Sequence, residues 1–93
     1  MTKIRNEVYR ALSDPTRRRI LQLLRQRDMT AGELAEHFEL SKPTMSGHFN
    51  VLRDADLIQG SKVGRTIVYR LNVSVLEEAL LALLDLFNVV REP

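Results

Sequence analysis

The segment Thr30 to Leu52, TAGELAEHFELSKPTMSGHFNVL, constrains the fold more than any other part of the chain. Thr30 and Glu33 form a capping-box pattern, in which each side chain satisfies an orphan backbone N–H of the other residue. Leu34, Ala35 and Phe38 follow as one apolar stripe, and Phe38-Glu39-Leu40 closes this helix. Ser41 offers a second N-cap, with Pro43 in the first turn, where a missing N–H costs little. From there Met45, Phe49 and Leu52 share one helical face, while Lys42, Ser46, Gly47 and Asn50 share another. Two short helices about a tight turn make a helix-turn-helix. The outward face of the second carries short hydrogen-bonding groups and a cation, which suits the base edges of a DNA major groove.

The flanking residues supply the rest of a small domain. Ile4, Val8, Ala11 and Leu12 have the spacing of a first helix. Ser13-Asp14-Pro15 ends it and starts a second, with Asp14 as N-cap and Pro15 at the first helical position. Ile20, Leu21, Leu23 and Leu24 face the core from that second helix. The recognition helix is expected to run to Asp54 or Ala55. Residues 57–62 read as a strand, Val63-Gly64-Arg65 as a turn, and Thr66 to Leu71 as a β-branched strand, together a hairpin wing with Lys62 and Arg65 at its tip. Asn72 or Ser74 caps a last helix from Val75 to about Val90. Leu76, Leu80, Leu83, Leu84, Phe87 and Val90 exceed one core stripe, and an apolar excess on a terminal helix points to a second subunit. The expected fold is mainly α with a small β-hairpin wing, four helices, two strands and a fifth helix, in one domain over residues 1–93.

Composition narrows the partners. The net charge of +2 is unevenly distributed, because residues 1–27 hold eight Lys/Arg against Glu7 and Asp14. A local basic stripe, rather than the total, sets phosphate affinity. The chain has no cysteine, so neither a disulfide framework nor a thiolate metal site is available. No basic segment followed by an apolar run opens the sequence, so no secretory signal is expected and a cytoplasmic location is. Ala79 to Val90 is broken by Asp85 and Asn88 and falls short of the ~20 apolar residues that span a bilayer, so no membrane insertion is expected. No P-loop, dinucleotide fingerprint or nucleophile elbow occurs, and Ser46 and His48 point in different directions on their helix, which argues against an enzyme.

The runs ALSDPTRRRILQLL (Ala11 to Leu24), MTAGELAEHFELSKPTMSGHFNVLRDADLI and GRTIVYRLN resemble, in order and spacing, the ArsR/SmtB family of bacterial transcriptional repressors. The lack of cysteine and the SKPTMSGHF helix look most like the family's metal-free autorepressor branch. The resemblance covers nearly the whole chain. It implies a winged helix-turn-helix homodimer joined through its first and fifth helices, with Ile4, Val8, Leu80, Leu83, Leu84, Phe87 and Val90 at the seam. It further implies double-stranded operator DNA as partner, repression by occluding a promoter (often the repressor's own), and no cofactor. Lys42, Pro43, Ser46 and Gly47 match the family's base-facing positions, and Ser41, Thr44 and His48 match positions nearer the backbone. Where Gly47 stands, many relatives carry a polar side chain or histidine. The metal-sensing Cys-x-Cys and His/Asp motifs of relatives are missing, and Glu77, Glu78 and Asp85 alone are a poor transition-metal set.

The candidate DNA-binding set is therefore Thr30, Ser41, Lys42, Pro43, Thr44, Ser46, Gly47, His48, Asn50, Lys62 and Arg65. For Thr30 and Ser41, capping is an equal alternative. His48 borders the buried face, so packing competes with phosphate contact. His37, one turn after Glu33, reads as a surface pair. The Arg17-Arg18-Arg19 run reads as a solvated face or as partners for acids, with one arginine in reach of phosphate. Tyr9 and Tyr69 read as core or interface aromatics. Two other functions stay open: a winged-helix protein-interaction module without DNA binding, and a metal- or ligand-gated sensor. A sequestering anti-repressor protein is a natural partner for a member without a metal site.

Overall fold

The computed structural model describes residues 5–87. Within them the order is α1 (Asn6–Leu12), α2 (Pro15–Gln26), β1 (Met29–Thr30), α3 (Ala31–Ala35), α4 (Lys42–Asp54), β2 (Ile58–Val63), β3 (Thr66–Leu71) and α5 (Val73–Leu86). This is the winged helix-turn-helix expected from the sequence.

Helix starts follow from local capping. The Asp14 carboxylate accepts the Arg17 backbone N–H at 3.1 Å ahead of Pro15. Both arms of the Thr30/Glu33 box are formed, at 3.0 and 2.9 Å. The Ser41 hydroxyl accepts the Thr44 N–H at 3.3 Å. The end of α4 is a Schellman closure, in which the Asp56 N–H reaches the Arg53 carbonyl at 2.9 Å and the Leu57 N–H reaches the Leu52 carbonyl at 3.0 Å. Asp56 takes the left-handed conformation this requires, φ 59°, and its carboxylate meets Arg5 at 3.1 Å.

Four boundaries differ from the sequence reading. Regular α3 stops at Ala35, and the chain continues to Phe38 in tighter turns, with His37 and Phe38 N–H groups bonding three residues back. β1 was not anticipated; its two residues pair antiparallel with Tyr69 and Val68, giving a three-stranded sheet of order β1-β3-β2. The wing shifts by one residue, because Leu57 is committed to closing α4. Val63 then pairs with Thr66 across a two-residue turn led by Gly64 at φ +62°. α5 starts at Val73, two residues early, and its N-cap Asn72 makes no side-chain cap bond.

The core joins Val8 and Ala11 of α1, the Ile20/Leu21/Leu23/Leu24 stripe of α2, Leu34, the Met45/Phe49/Leu52 face of α4, and Leu57, Ile58 and Tyr69. Each large side chain buried here contributes about 1.5–3 kcal/mol. Phe49 and Tyr69 pack ring to ring at 4.9 Å, holding α4 against the sheet. Tyr9 donates its hydroxyl to the Ala79 carbonyl at 3.1 Å, tying α1 to α5.

The expected dimer seam needs one correction. Val8 is 1% exposed in the single chain, so it packs the chain's own core and has no surface left for a second copy. Ile4 and Val90 lie outside the described residues. Leu83 and Leu84 are half-buried, whereas Leu80 and Phe87 are 50% and 71% exposed. Leu81 and Leu86, absent from the expected set, are exposed beside them. Ala79 and Ala82 are the buried residues of α5. The inward side of that helix thus carries Ala79 and Ala82, with Val75 and Leu76 partly buried against the core, and its outward side carries large apolar residues.

Candidate nucleic-acid interface

The burial of Met45, Phe49 and Leu52 fixes the rotation of α4. Lys42, Pro43, Thr44, Ser46, Gly47 and Asn50 are left exposed on one continuous face, with Ser41 at its head. No large hydrophobic side chain of α4 is exposed. The Ser41 hydroxyl donates to the Thr44 hydroxyl at 2.9 Å while capping the helix. Asn50 accepts from Arg53 at 2.7 Å through its carbonyl oxygen, keeping its amide group for another partner. Thr30 is half-buried and engaged in its cap.

His48 departs from the rest of the set. It is half-buried and turned away from the polar face, toward the start of α2. Its Nδ1 lies 3.2 Å from an Arg17 guanidinium nitrogen and 4.0 Å from the Asp14 carboxylate. This is the packed alternative, and it removes the ring from the exposed face.

Arg17, read from the sequence as a solvated residue, a partner for acids or a phosphate contact, has a role that reading did not include. Its guanidinium donates to the Ala11 carbonyl at 2.9 Å and the Arg10 carbonyl at 3.0 Å, while facing His48. It therefore caps the carbonyl end of α1 and links that helix to α4. Arg18 donates to the Leu12 carbonyl at 2.9 Å, and Arg19 makes only an exposed 3.4 Å contact to Gln22. A partial signal was present, since Asp14 as N-cap places residue 17 one turn later on the same side. The carbonyl partners were not legible.

Electrostatics at the caps are well defined. Burial pushes the Asp14 carboxyl up, but the Arg17 N–H and the charges of Arg17 and His48 outweigh it and hold the group below its ordinary value. The Thr30 backbone N–H and the Arg27 side chain lower Glu33, and Arg27 pairs with it at 3.1 Å. Glu33 is thereby committed to Thr30 and Arg27, and His37 stands exposed. Among the described residues, no three His, Asp or Glu side chains converge in a metal-ligating group.

On the wing, Lys62 and Arg65 are exposed and form no ion pair among the described residues. Arg70 is held by Gln59 across the strands at 2.6 and 2.9 Å. The surface available to a polyanion thus combines the polar face of α4 with two cations at a hairpin tip.

Residues 14–59 match the model of the bacterial regulatory protein, arsR family. The transcriptional repressor SdpR of Bacillus subtilis is 48% identical over 83 residues, covering 89% of this chain and 92% of the relative. The chain belongs to the ArsR family. The arsenical resistance operon repressor of Staphylococcus xylosus is 40% identical over 70 residues, 75% of this chain and 67% of that protein. The crystal structure of an ArsR family transcriptional regulator superposes with a TM-score of 0.80 at 32% identity, covering 92% of this chain and 97% of that one. An ArsR-like regulator from Rhodococcus sp. RHA1 gives 0.76 at 34% identity, with coverages of 89% and 77%. This ArsR-family chain is thus a DNA-binding transcriptional regulator of the repressor type and not an enzyme. No helix among its described residues is long and apolar enough to cross a membrane.

Proposed function

We propose that the 1–93 chain is a single-domain cytoplasmic repressor that binds a pseudo-palindromic operator as a homodimer and blocks the promoter physically. The observation that carries this reading is the exposed face of α4: short polar groups and Lys42 around Gly47, with every large apolar side chain turned inward. In this reading Lys42, Pro43, Ser46, Gly47 and Asn50 face base edges, and Ser41, Thr44 and Thr30 lie nearer the phosphates. Lys62 and Arg65 reach the flanking backbone or minor groove. Cationic contacts supply most of the affinity, and α4 supplies the sequence preference. The exposed Leu80, Leu81, Leu86 and Phe87 of α5 support pairing through that helix, which sets half-sites about one helical turn, ~10 bp, apart. Control of its own promoter, and release by a sequestering protein partner, fit a cysteine-free member in which no metal-ligating cluster occurs among the described residues.

Gel shifts on its own promoter region against scrambled duplex test the reading. We expect a strong preference for the promoter, with an affinity that falls steeply with salt. Lys42→Ala should reduce the salt slope by about one unit if that ammonium sits on phosphate. Equal, weak binding to every duplex at low ionic strength would refute it.

A further inference from the structure

We propose that Gly47 is a close-approach position, where the backbone of α4 itself, rather than a side chain, meets the major-groove edge of a base pair. The inference rests on the DNA-binding reading above and adds to it a residue that sets specificity by shape.

Glycine is the poorest helix former after proline, and Gly47 is the sixth residue of the 13-residue α4. Other glycines of the chain have internal reasons. A Cβ on Gly60 would stand 3.0 Å from the Tyr69 ring and 3.1 Å from Ile67, and Gly64 has φ +62°. Gly32 is in the first turn of a short helix, where the ladder of backbone bonds constrains it least. Gly47 has no such reason: a Cβ there would find nothing within 4 Å, and its φ is not in the left-handed region. The fold would accept alanine at this position and gain by it. The glycine is also centred on the exposed polar face, between Ser46 and Asn50. What remains to exclude a side chain is something outside the chain that comes closer than a methyl group permits, which is a recurrent use of glycine. A base edge is the occupant the neighbouring groups fit, since a bare Cα surface discriminates by contact with a thymine methyl rather than by hydrogen bonding.

Stability and specific affinity should therefore move in opposite directions at this position. The test compares the full chain with Gly47→Ala and Gly47→Ser, using a duplex that the native chain selects from a random-sequence library and a scrambled duplex of equal length. Gly47→Ala should raise Tm by about 4 °C or more. It should also weaken binding to the selected duplex on the order of tenfold, as one lost base-pair contact does. Binding to the scrambled duplex should not change, because phosphate contacts are untouched. Gly47→Ser should weaken selected-duplex binding as well, its hydroxyl giving no rescue. Unchanged or tighter binding by Gly47→Ala overturns the proposal while leaving the DNA-binding reading intact. A fall in Tm overturns it too, since the fold would then be what requires the glycine. If the native chain selects no duplex, the reading on which the proposal rests fails first.

Discussion

Arg17 offers the sharpest test of how the recognition helix is held. Arg17→Met keeps the aliphatic stem and the backbone N–H to Asp14, and removes only the guanidinium. Three contacts disappear, to the Ala11 carbonyl at 2.9 Å, the Arg10 carbonyl at 3.0 Å and His48 Nδ1 at 3.2 Å. Each counts for about 1 kcal/mol net, low for a charged donor because the group is partly wetted and the α1 carbonyls regain water. The expected loss is about 2–3 kcal/mol, or roughly 10–20 °C in Tm for a domain of this size. Urea unfolding should show a lower midpoint at unchanged m-value. Arg18→Met, which removes one exposed bond to Leu12, should lose roughly 0.5 kcal/mol and serves as the reference. Arg17→Lys should recover less than half of the loss, because one ammonium cannot reproduce the guanidinium fork that spans the Ala11 and Arg10 carbonyls and the His48 ring. Equal midpoints for the Arg17 and Arg18 variants would refute the assignment of Arg17 as the link between α1 and α4.

Four further outcomes are expected. Asp14 and Glu33 both have folded pKa values below their ordinary 3.8 and 4.5, so their stabilisation is present above those values and lost as pH falls through the lower folded ones. Thermal melts between pH 6 and 2 should show this acid limb, and Asp14→Asn, which keeps the cap, should flatten it; an unaltered limb speaks against Asp14. Gly60→Ala should cost about 1–3 kcal/mol in chemical unfolding, because the added methyl drives into the buried Tyr69 ring; full stability would show that the ring yields freely. Leu80→Glu with Phe87→Glu should halve the mass seen by light scattering if α5 forms the dimer seam, and an unchanged mass would move the seam elsewhere. Replacing Lys62 and Arg65 together by Ala should lower operator affinity and flatten its salt dependence by up to two units; an unaltered salt slope would remove the wing from the DNA.

Much of the candidate interface was legible because it depends on short-range rules. The exposed set on α4 followed from the three apolar residues at helical spacing, which allow one rotation of the helix and no other. The wing tip followed from Gly64 just ahead of the β-branched run Thr66 to Leu71, with a second strand-like segment before it. His48 was undecidable at this level, since it borders both faces, and the answer came from an arginine 31 positions away. Val8 was misassigned for a related reason. Apolar spacing on α1 shows that one side must be covered, but not whether α2 and α4 or a second copy covers it.

The sequence alone determined where helices begin and which faces turn inward, because caps and apolar stripes act over three or four residues. Asp14, Thr30 and Ser41 each recruit an N–H three positions on, whatever the rest of the molecule does. Only the tertiary structure decided the pairing of Met29-Thr30 with β3 and the service of Arg17 to α1 and α4 together. Those features bring together groups that local preference does not connect. They form only once packing has placed one element's unpaired carbonyls and strand edge beside another element's donors.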